Sequence, residues 1–242
     1  MEFIFAIFEI NRTYMQTEIK KVELRNLAFE DYKQLKNSMV ESYPEMANSY
    51  WRSNDIKKLL SIFPEGQLVI LVDGVVVGSA LSLIVDEKLV DKRHNYRQII
   101  GDYTFSTHNP DGEILYGIDV FIHPNYRGLR LGRRLYDARK ELCEQLNLKA
   151  IVFAGRIPNY SQYAKKFSPR NYIEKVKDKE LHDPVLSFQL SNDFHVLRVD
   201  RHLRGNDLLA DVGGDVDVRL VFVLIDRGLG GVLSGVEQSA EE

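Results

Sequence analysis

Glu113 to Ile157 reads EILYGIDVFIHPNYRGLRLGRRLYDARKELCEQLNLKAIVFAGRI. A β-rich run of mixed pattern ending at Ile122 is followed by a loop carrying Arg127, Gly128, Arg130 and Gly132. Apolar residues at Leu131, Leu135, Ala138, Leu142 and Leu146 then recur at helical spacing. The continuous apolar run KAIVFAGRI at the end is what a strand buried on both faces looks like, so the whole reads as strand, helix, parallel strand. Four arginines, Arg127, Arg130, Arg133 and Arg134, crowd the start of this helix. A helix N-terminus already carries about half a positive charge, so cations there are costly on their own. They become favourable when a polyanion sits on the same pole, held by backbone N–H groups and flanked by guanidinium groups. Gly128 and Gly132 permit the conformations and close approaches that let such a loop aim its donors at one point. The expected partner of this unit is a phosphate-bearing ligand.

Upstream, VELRNL from Val22 reads as a short first strand, and AFEDYKQLKNSMVESY sets Phe29, Tyr32, Leu35 and Met39 on a helical stripe. SNDIKKLLSIF is a second helix with Ser53 or Asn54 as its cap. QLVILVDGVVVGSALSLIV gives two β-rich runs about Asp73–Gly74, the pattern of an antiparallel hairpin. Glu87 to Gly112 is polar and aromatic and long for a simple connection, which leaves a functional excursion and a partly ordered loop both open. Downstream, NYSQYAKKF and PRNYIEKVKDKEL read as helical, and PVLSFQLSNDFHVLRV as two strands or a helix and a strand.

The 242 residues are 44% hydrophobic and 28% charged, enough to bury a sizeable core, and the net charge of −3 argues against a dedicated nucleic-acid binder. One cysteine, Cys143, fits a reducing compartment and reads as a small packed thiol. The apolar opening MEFIFAIFEI has acidic Glu2 and Glu9 and no basic leader, so it is expected to be an added strand or start-site extension rather than a signal peptide. No run approaches the ~20 apolar residues that span a bilayer, and a cytoplasmic location is expected. The histidines show no metal-ligand spacing.

IHPNYRGLRLGRRL resembles the acetyl-coenzyme A pyrophosphate loop of the GNAT acetyltransferase superfamily, whose usual form is Gln or Arg, two residues, Gly, one residue, then Gly or Ala. Arg127 and Gly132 match the ends; Arg130 stands where the middle Gly usually lies. The order of elements from about Val22 to Val199 is also that family's. YGIDVFIHPNYRGLRLGRRLYDARKELCE, GRIPNY and DPVLSFQLSNDFHV carry a closer likeness to the acetyltransferase half of bacterial proteins in which a GNAT domain precedes a carbon–nitrogen hydrolase domain. The hydrolase half would need a Glu, Lys and Cys constellation for which this chain is too short.

The resemblance implies an α/β (α+β) fold: a mixed, mostly antiparallel twisted sheet flanked by helices, with a parallel strand pair splayed at the cofactor site. It implies acetyl-CoA as cosubstrate, no metal, and transfer of an acetyl group to a primary amine on a small molecule or peptide. Carried onto this chain, cofactor binding falls to the backbone of Val120 and Ile122, to the loop Arg127, Gly128, Leu129, Arg130, Leu131, Gly132 and Arg133, and to Asn159. Asp119 is the candidate base, and Tyr163 or Tyr160 the candidate acid, each with ordinary packing as its alternative. His123 is expected to begin a turn and face solvent; His94, Tyr103 and His108 either line an acceptor pocket or are ordinary polar side chains in contact with water. Trp51 either covers the acceptor cleft or closes the core. Two other classes stay open: a non-catalytic CoA-binding or sensing module, and nucleic-acid contact through the basic stripe, against which the acids Asp137, Glu141 and Glu144 weigh. A homodimer is also compatible with the sequence.

The expected division is 1–19 as an N-terminal extension, 20–199 as the GNAT domain, and 200–242 as a tail. From Asp200 onward there is no lysine and no tyrosine, while Gly, Asp, Val and Leu dominate. VRLVFVLID there reads as a strand with little to bury itself against, so the tail is expected to lie outside the catalytic fold. An added strand that extends the sheet or pairs with a second subunit is the competing reading.

Overall fold

Asp73 and Gly74 both carry positive φ, 49° and 82°, the geometry that fits a two-residue turn to the right-handed twist of its strands. They join β2 (Gln67–Val72) to β3 (Val75–Val85) as the expected antiparallel hairpin. β1 (Val22–Asn26) pairs with β2, and β4 (Ile114–Ile122) with β3, both antiparallel. β5 (Ala150–Arg156) lies parallel to β4. The computed structural model describes residues 19, 21–44, 50–91, 94–201 and 218–225. Among these, β6 (His195–Arg201) and β7 (Val218–Ile225) complete a seven-stranded sheet in the order β1-β2-β3-β4-β5-β7-β6, mixed but antiparallel everywhere except at β4–β5.

Alternate side chains go to opposite faces. Leu81, Leu83, Ile114, Tyr116 and Ile118 join one cluster with α1 (Tyr32–Ser42) and α2 (Ser53–Ile62). The 86–113 connection also packs there: it forms α3 (Glu87–Asp91) and α4 (Tyr96–Ile99), and Val90, Ile99, Ile100 and Phe105 are buried. The excursion is therefore part of the core in its described residues, which exclude 92–93. On the other face lie α5 (Leu131–Gln145), α6 (Pro169–Lys177) and α7 (Pro184–Leu190). NYSQYAKKF forms only a 3-10 turn over Pro158–Gln162 instead of a regular helix. α2 is capped by neither Ser53 nor Asn54: its N-cap is Arg52, whose N–H donates to the Asp55 carboxylate at 2.9 Å. No helix among the described residues is long and apolar enough to cross a membrane.

Val218–Ile225 corrects the expectation of a tail outside the fold. It is inserted between β5 and β6, antiparallel to both. Leu220, Val221, Phe222 and Val223 are all buried. Leu220 and Phe222 enter the cluster on the α5 side, Val221 and Val223 the cluster on the α1 side. The strand is not isolated, because the free edges of β5 and β6 and two apolar layers receive it together. The compositional shift at Asp200 thus falls within β6 rather than at the edge of the sheet. The 1–18 stretch, with the proposed N-terminal extension, lies outside the described residues.

Candidate active site

The site begins with an irregularity in β4. Leu81 pairs with Asp119 and Ser82 with Gly117, so Ile118 is an extra residue, a β-bulge that sets Ile118 and Asp119 side by side. β4 pairs with β5 only from Ile114 to Gly117; past the bulge β4 follows β3 to Ile122, while β5 follows β7. The parallel pair is splayed, and the β4 edge facing the gap has lost its ladder. Its carbonyls are met by side chains instead. Ile118 O accepts from the Tyr96 hydroxyl (3.0 Å), Val120 O from the Tyr43 hydroxyl (3.2 Å) and Ile122 O from Arg127 Nε (3.3 Å). Both backbone positions expected to clamp the cofactor, Val120 and Ile122, therefore lie on this open edge.

Asp119 is half-buried on the α1 side of the sheet. Its carboxylate accepts from Trp51 Nε1 (2.9 Å) and from the Tyr43 hydroxyl (3.4 Å). Burial pushes its carboxyl above the usual range, against the pull of the Trp51 hydrogen bond and the nearby Arg139 charge. Tyr43 and Tyr96 are in turn pushed well upward, first by burial and then by the Asp119 charge. An aromatic wall surrounds the carboxylate, with Trp51 tilted against Tyr96 and Phe105 and edge-on to Tyr103. Trp51 thus closes the core, one of the two roles that the sequence left open, and donates to the candidate base. His94 Nε2 lies 3.0 Å from the Tyr116 hydroxyl on this face. His108 stacks on Phe63, and its Nδ1 accepts from the Ile84 N–H. His123 does begin the turn, but it does not face solvent. Its Nδ1 accepts the Asn125 N–H, leaving Nε2 to donate to Glu41 at 2.7 Å.

The loop after β4 leads to α5 through two left-handed residues, Gly128 (φ 85°) and Arg130 (φ 57°). Arg130 adopts the conformation a glycine would take freely, which costs an L-residue about 1–2 kcal/mol. Arg127, Leu129, Arg130 and Arg133 are exposed, as is Arg134, while Leu131 is buried under the sheet. Among the described residues no carboxylate pairs with Arg127, Arg130 or Arg134, and Arg133 reaches Asp137 only at 4.0 Å. The uncapped N-terminus of α5 and these cations fit an anionic group carried on phosphates. Gly132 has a second reason to be glycine: a Cβ there would meet the Phe188 ring of α7 at 2.9 Å.

Asn159 and Tyr160 sit in the turn after β5 and are tied into the protein. The Asn159 N–H donates to Asp183 (3.1 Å) and its side-chain amide to the His182 carbonyl (3.0 Å). Tyr160 is buried with its hydroxyl donating to the Phe167 carbonyl at 3.0 Å. Tyr163 is partly exposed, stacked on Phe167 and tilted against Tyr172. These residues lie against the α6–α7 side of the sheet, whereas Asp119, bonded to Trp51 and Tyr43, lies on the α1 side, so the candidate acid and base stand on opposite faces of the sheet. Tyr43, Tyr96 and Arg139 had no site role in the sequence reading. For Arg139 a signal existed: it falls in the four-residue ladder Leu131, Leu135, Arg139, Cys143, which is the face α5 actually buries, while Leu146 is exposed.

The site thus combines a mostly antiparallel sheet with one splayed parallel pair, a cationic helix N-terminus at the gap and a half-buried carboxylate on the bulged strand. The chain belongs to the acetyltransferase (GNAT) family, whose model matches residues 24–168. It is 39% identical over 188 residues to the probable hydrolase YhcX of Bacillus subtilis (strain 168), covering 78% of this chain and 36% of that protein. It is 31% identical over 175 residues to the uncharacterized N-acetyltransferase YkwB of the same organism, covering 72% of this chain and 77% of that protein. The chain thus spans about a third of the length of YhcX, consistent with a two-domain family. Among solved structures, the loading GNATL domain of CurA from Lyngbya majuscula matches with a TM-score of 0.69 at 20% identity, over 85% of this chain and 98% of that one, which bears on the fold alone.

Proposed function

We propose that the chain is an N-acetyltransferase that takes its acetyl group from acetyl-CoA and delivers it to a primary amine of a small molecule or peptide. The observation that carries this reading is the splayed β4 edge, flanked at one end by the cationic N-terminus of α5 and at the other by the half-buried Asp119. The thioester supplies the activated acyl group. Arg127, Arg130, Arg133 and Arg134, with the first N–H groups of α5, would hold the phosphates. Val120 and Ile122 would offer backbone groups along the gap once Tyr43 and Arg127 release their carbonyls. Asp119 takes the proton from the acceptor ammonium; a carboxylate raised by burial is a better base near neutral pH than an ordinary one. Tyr163, held by its backbone in the turn and with no partner for its hydroxyl among the described residues, is the proposed donor to the departing thiolate. Tyr160 and Asn159 hold the turn that carries it.

Calorimetry and thermal shift with coenzyme A, followed by acetyl transfer against a panel of primary amines, test this. Coenzyme A should bind at micromolar strength and raise the melting temperature, because a ligand specific to the folded state stabilises it. No binding at millimolar coenzyme A would overturn the cofactor assignment. Binding without transfer to any amine would favour a CoA-sensing module.

A further inference from the structure

Arg139 is almost fully buried, with 1% of its surface exposed, on the sheet-facing side of α5. A buried cation loses its hydration and persists where fixed partners replace it. Arg139 pairs with no carboxylate among the described residues. Its partners are the two strands at the bulge. Nη2 donates to the carbonyls of both Leu81 and Asp119, each at 2.6 Å, and Nε donates to the Ser82 hydroxyl at 3.1 Å. Leu81 and Ser82 are the residues of β3 between which the register shifts. The guanidinium therefore bridges the strands at the one place where their ladder is interrupted. Gly117 makes room for it: a Cβ there would lie 3.0 Å from Nη1.

We propose that Arg139 is the positioning residue of the site, a guanidinium staple that locks the β4 bulge and thereby fixes the direction and the charge environment of Asp119. This rests on Asp119 being the site carboxylate, as in the function proposed above. The planar fork matters. Nη2 spans the two carbonyls while Nε, held in the same plane, takes the Ser82 hydroxyl, and the shorter lysine stem with its single ammonium does not reproduce both sets of contacts. Asp119 is otherwise faced by Trp51 ahead of α2, Tyr43 at the end of α1, Tyr96 of α4, and more distantly Arg127 of the loop, acting through Tyr43. Arg139 is thus a buried positive charge that acts on this carboxylate, and it favours the ionised form.

Trp51 is the only tryptophan in the chain and donates directly to Asp119, so its fluorescence reports the ionisation of that carboxylate without any substrate. The experiment compares the pH titration of Trp51 emission and the amide hydrogen exchange of the segment 117–121 in the parent, Arg139→Met and Arg139→Lys, with Asp119→Asn as the control that abolishes the transition. Loss of the charge in Arg139→Met should move the midpoint upward by ~1 unit or more, the scale of an adjacent opposite charge. Exchange over the bulge should quicken at least tenfold. Arg139→Lys keeps a cation but lacks the fork: its midpoint should return toward that of the parent while the rapid exchange persists. If Arg139→Met fails to fold, Arg139→Lys carries the test through its exchange alone. Parental exchange in Arg139→Lys, or an unmoved or lowered midpoint in a folded Arg139→Met, would overturn the proposal. Coenzyme A binding, measured separately on the parent, decides the cofactor reading and leaves this result standing either way.

Discussion

Phe222→Ala examines whether Val218–Ile225 belongs to the catalytic fold. Phe222 is fully buried; its ring stacks on Phe153 with centroids 5.3 Å apart. It also covers Gly155, where a Cβ would meet the ring at 2.8 Å. Removing a buried phenylalanine ring costs about 3–5 kcal/mol, through lost burial and the cavity left behind. Here the upper half of that range is expected, because Phe153 also contacts Phe194 at 4.8 Å and Tyr136 at 5.8 Å, so the cavity opens beside a rigid aromatic cluster. In a domain of this size each kcal/mol lowers the melting temperature by roughly 2–4 °C, so a fall of about 8 °C or more is expected. Urea unfolding followed by circular dichroism measures the loss, with Leu146→Ala as the control at an exposed apolar position. A Phe222→Ala protein within ~0.5 kcal/mol of the parent, no worse than an ordinary surface change, would refute the placement of β7.

Gly128→Ala has open space for its Cβ but a φ of 85°, whereas Gly132→Ala collides with Phe188. Gly128→Asn should therefore recover stability lost in Gly128→Ala, since asparagine tolerates the left-handed region. Phe188→Leu should recover that of Gly132→Ala; urea midpoints of the four variants distinguish the two mechanisms. Asp31 accepts two hydrogen bonds from Arg25, at 2.7 and 2.8 Å, and one from the Ala28 N–H, and the Arg25 guanidinium chiefly holds its carboxyl below the ordinary range. A depressed carboxylate contributes stability that is full above its unfolded value and lost as pH falls through its folded one. Asp31→Asn should cost about 1–2 kcal/mol at neutral pH, with the gap closing as the pH falls below about 3.9, in chemical denaturation at several pH values.

The strand–helix–strand unit was legible because its signals are local: a β-rich run of mixed pattern, a glycine-bearing loop, a stripe of period 3.6 and a continuous apolar run. The Asp73–Gly74 hairpin was legible for the same reason, since two residues with positive φ suffice to reverse a chain. The arginines of the loop declared themselves by their misfit with the helix dipole, a conflict visible in one dimension. What tertiary structure alone decided was partnership. VRLVFVLI is the same strand in either reading, but whether it is worth burying depends on free edges contributed by β5 and β6, one of them over sixty residues away. Arg139 looks like a solvated cation among acidic neighbours until the helix is docked and its four-residue ladder turns toward the bulge. Asp119 could be placed on its strand by spacing. Its surroundings could not, because Tyr43, Trp51, Tyr96 and Arg139 come from four separate segments that meet only when the sheet and both helical layers have closed around it.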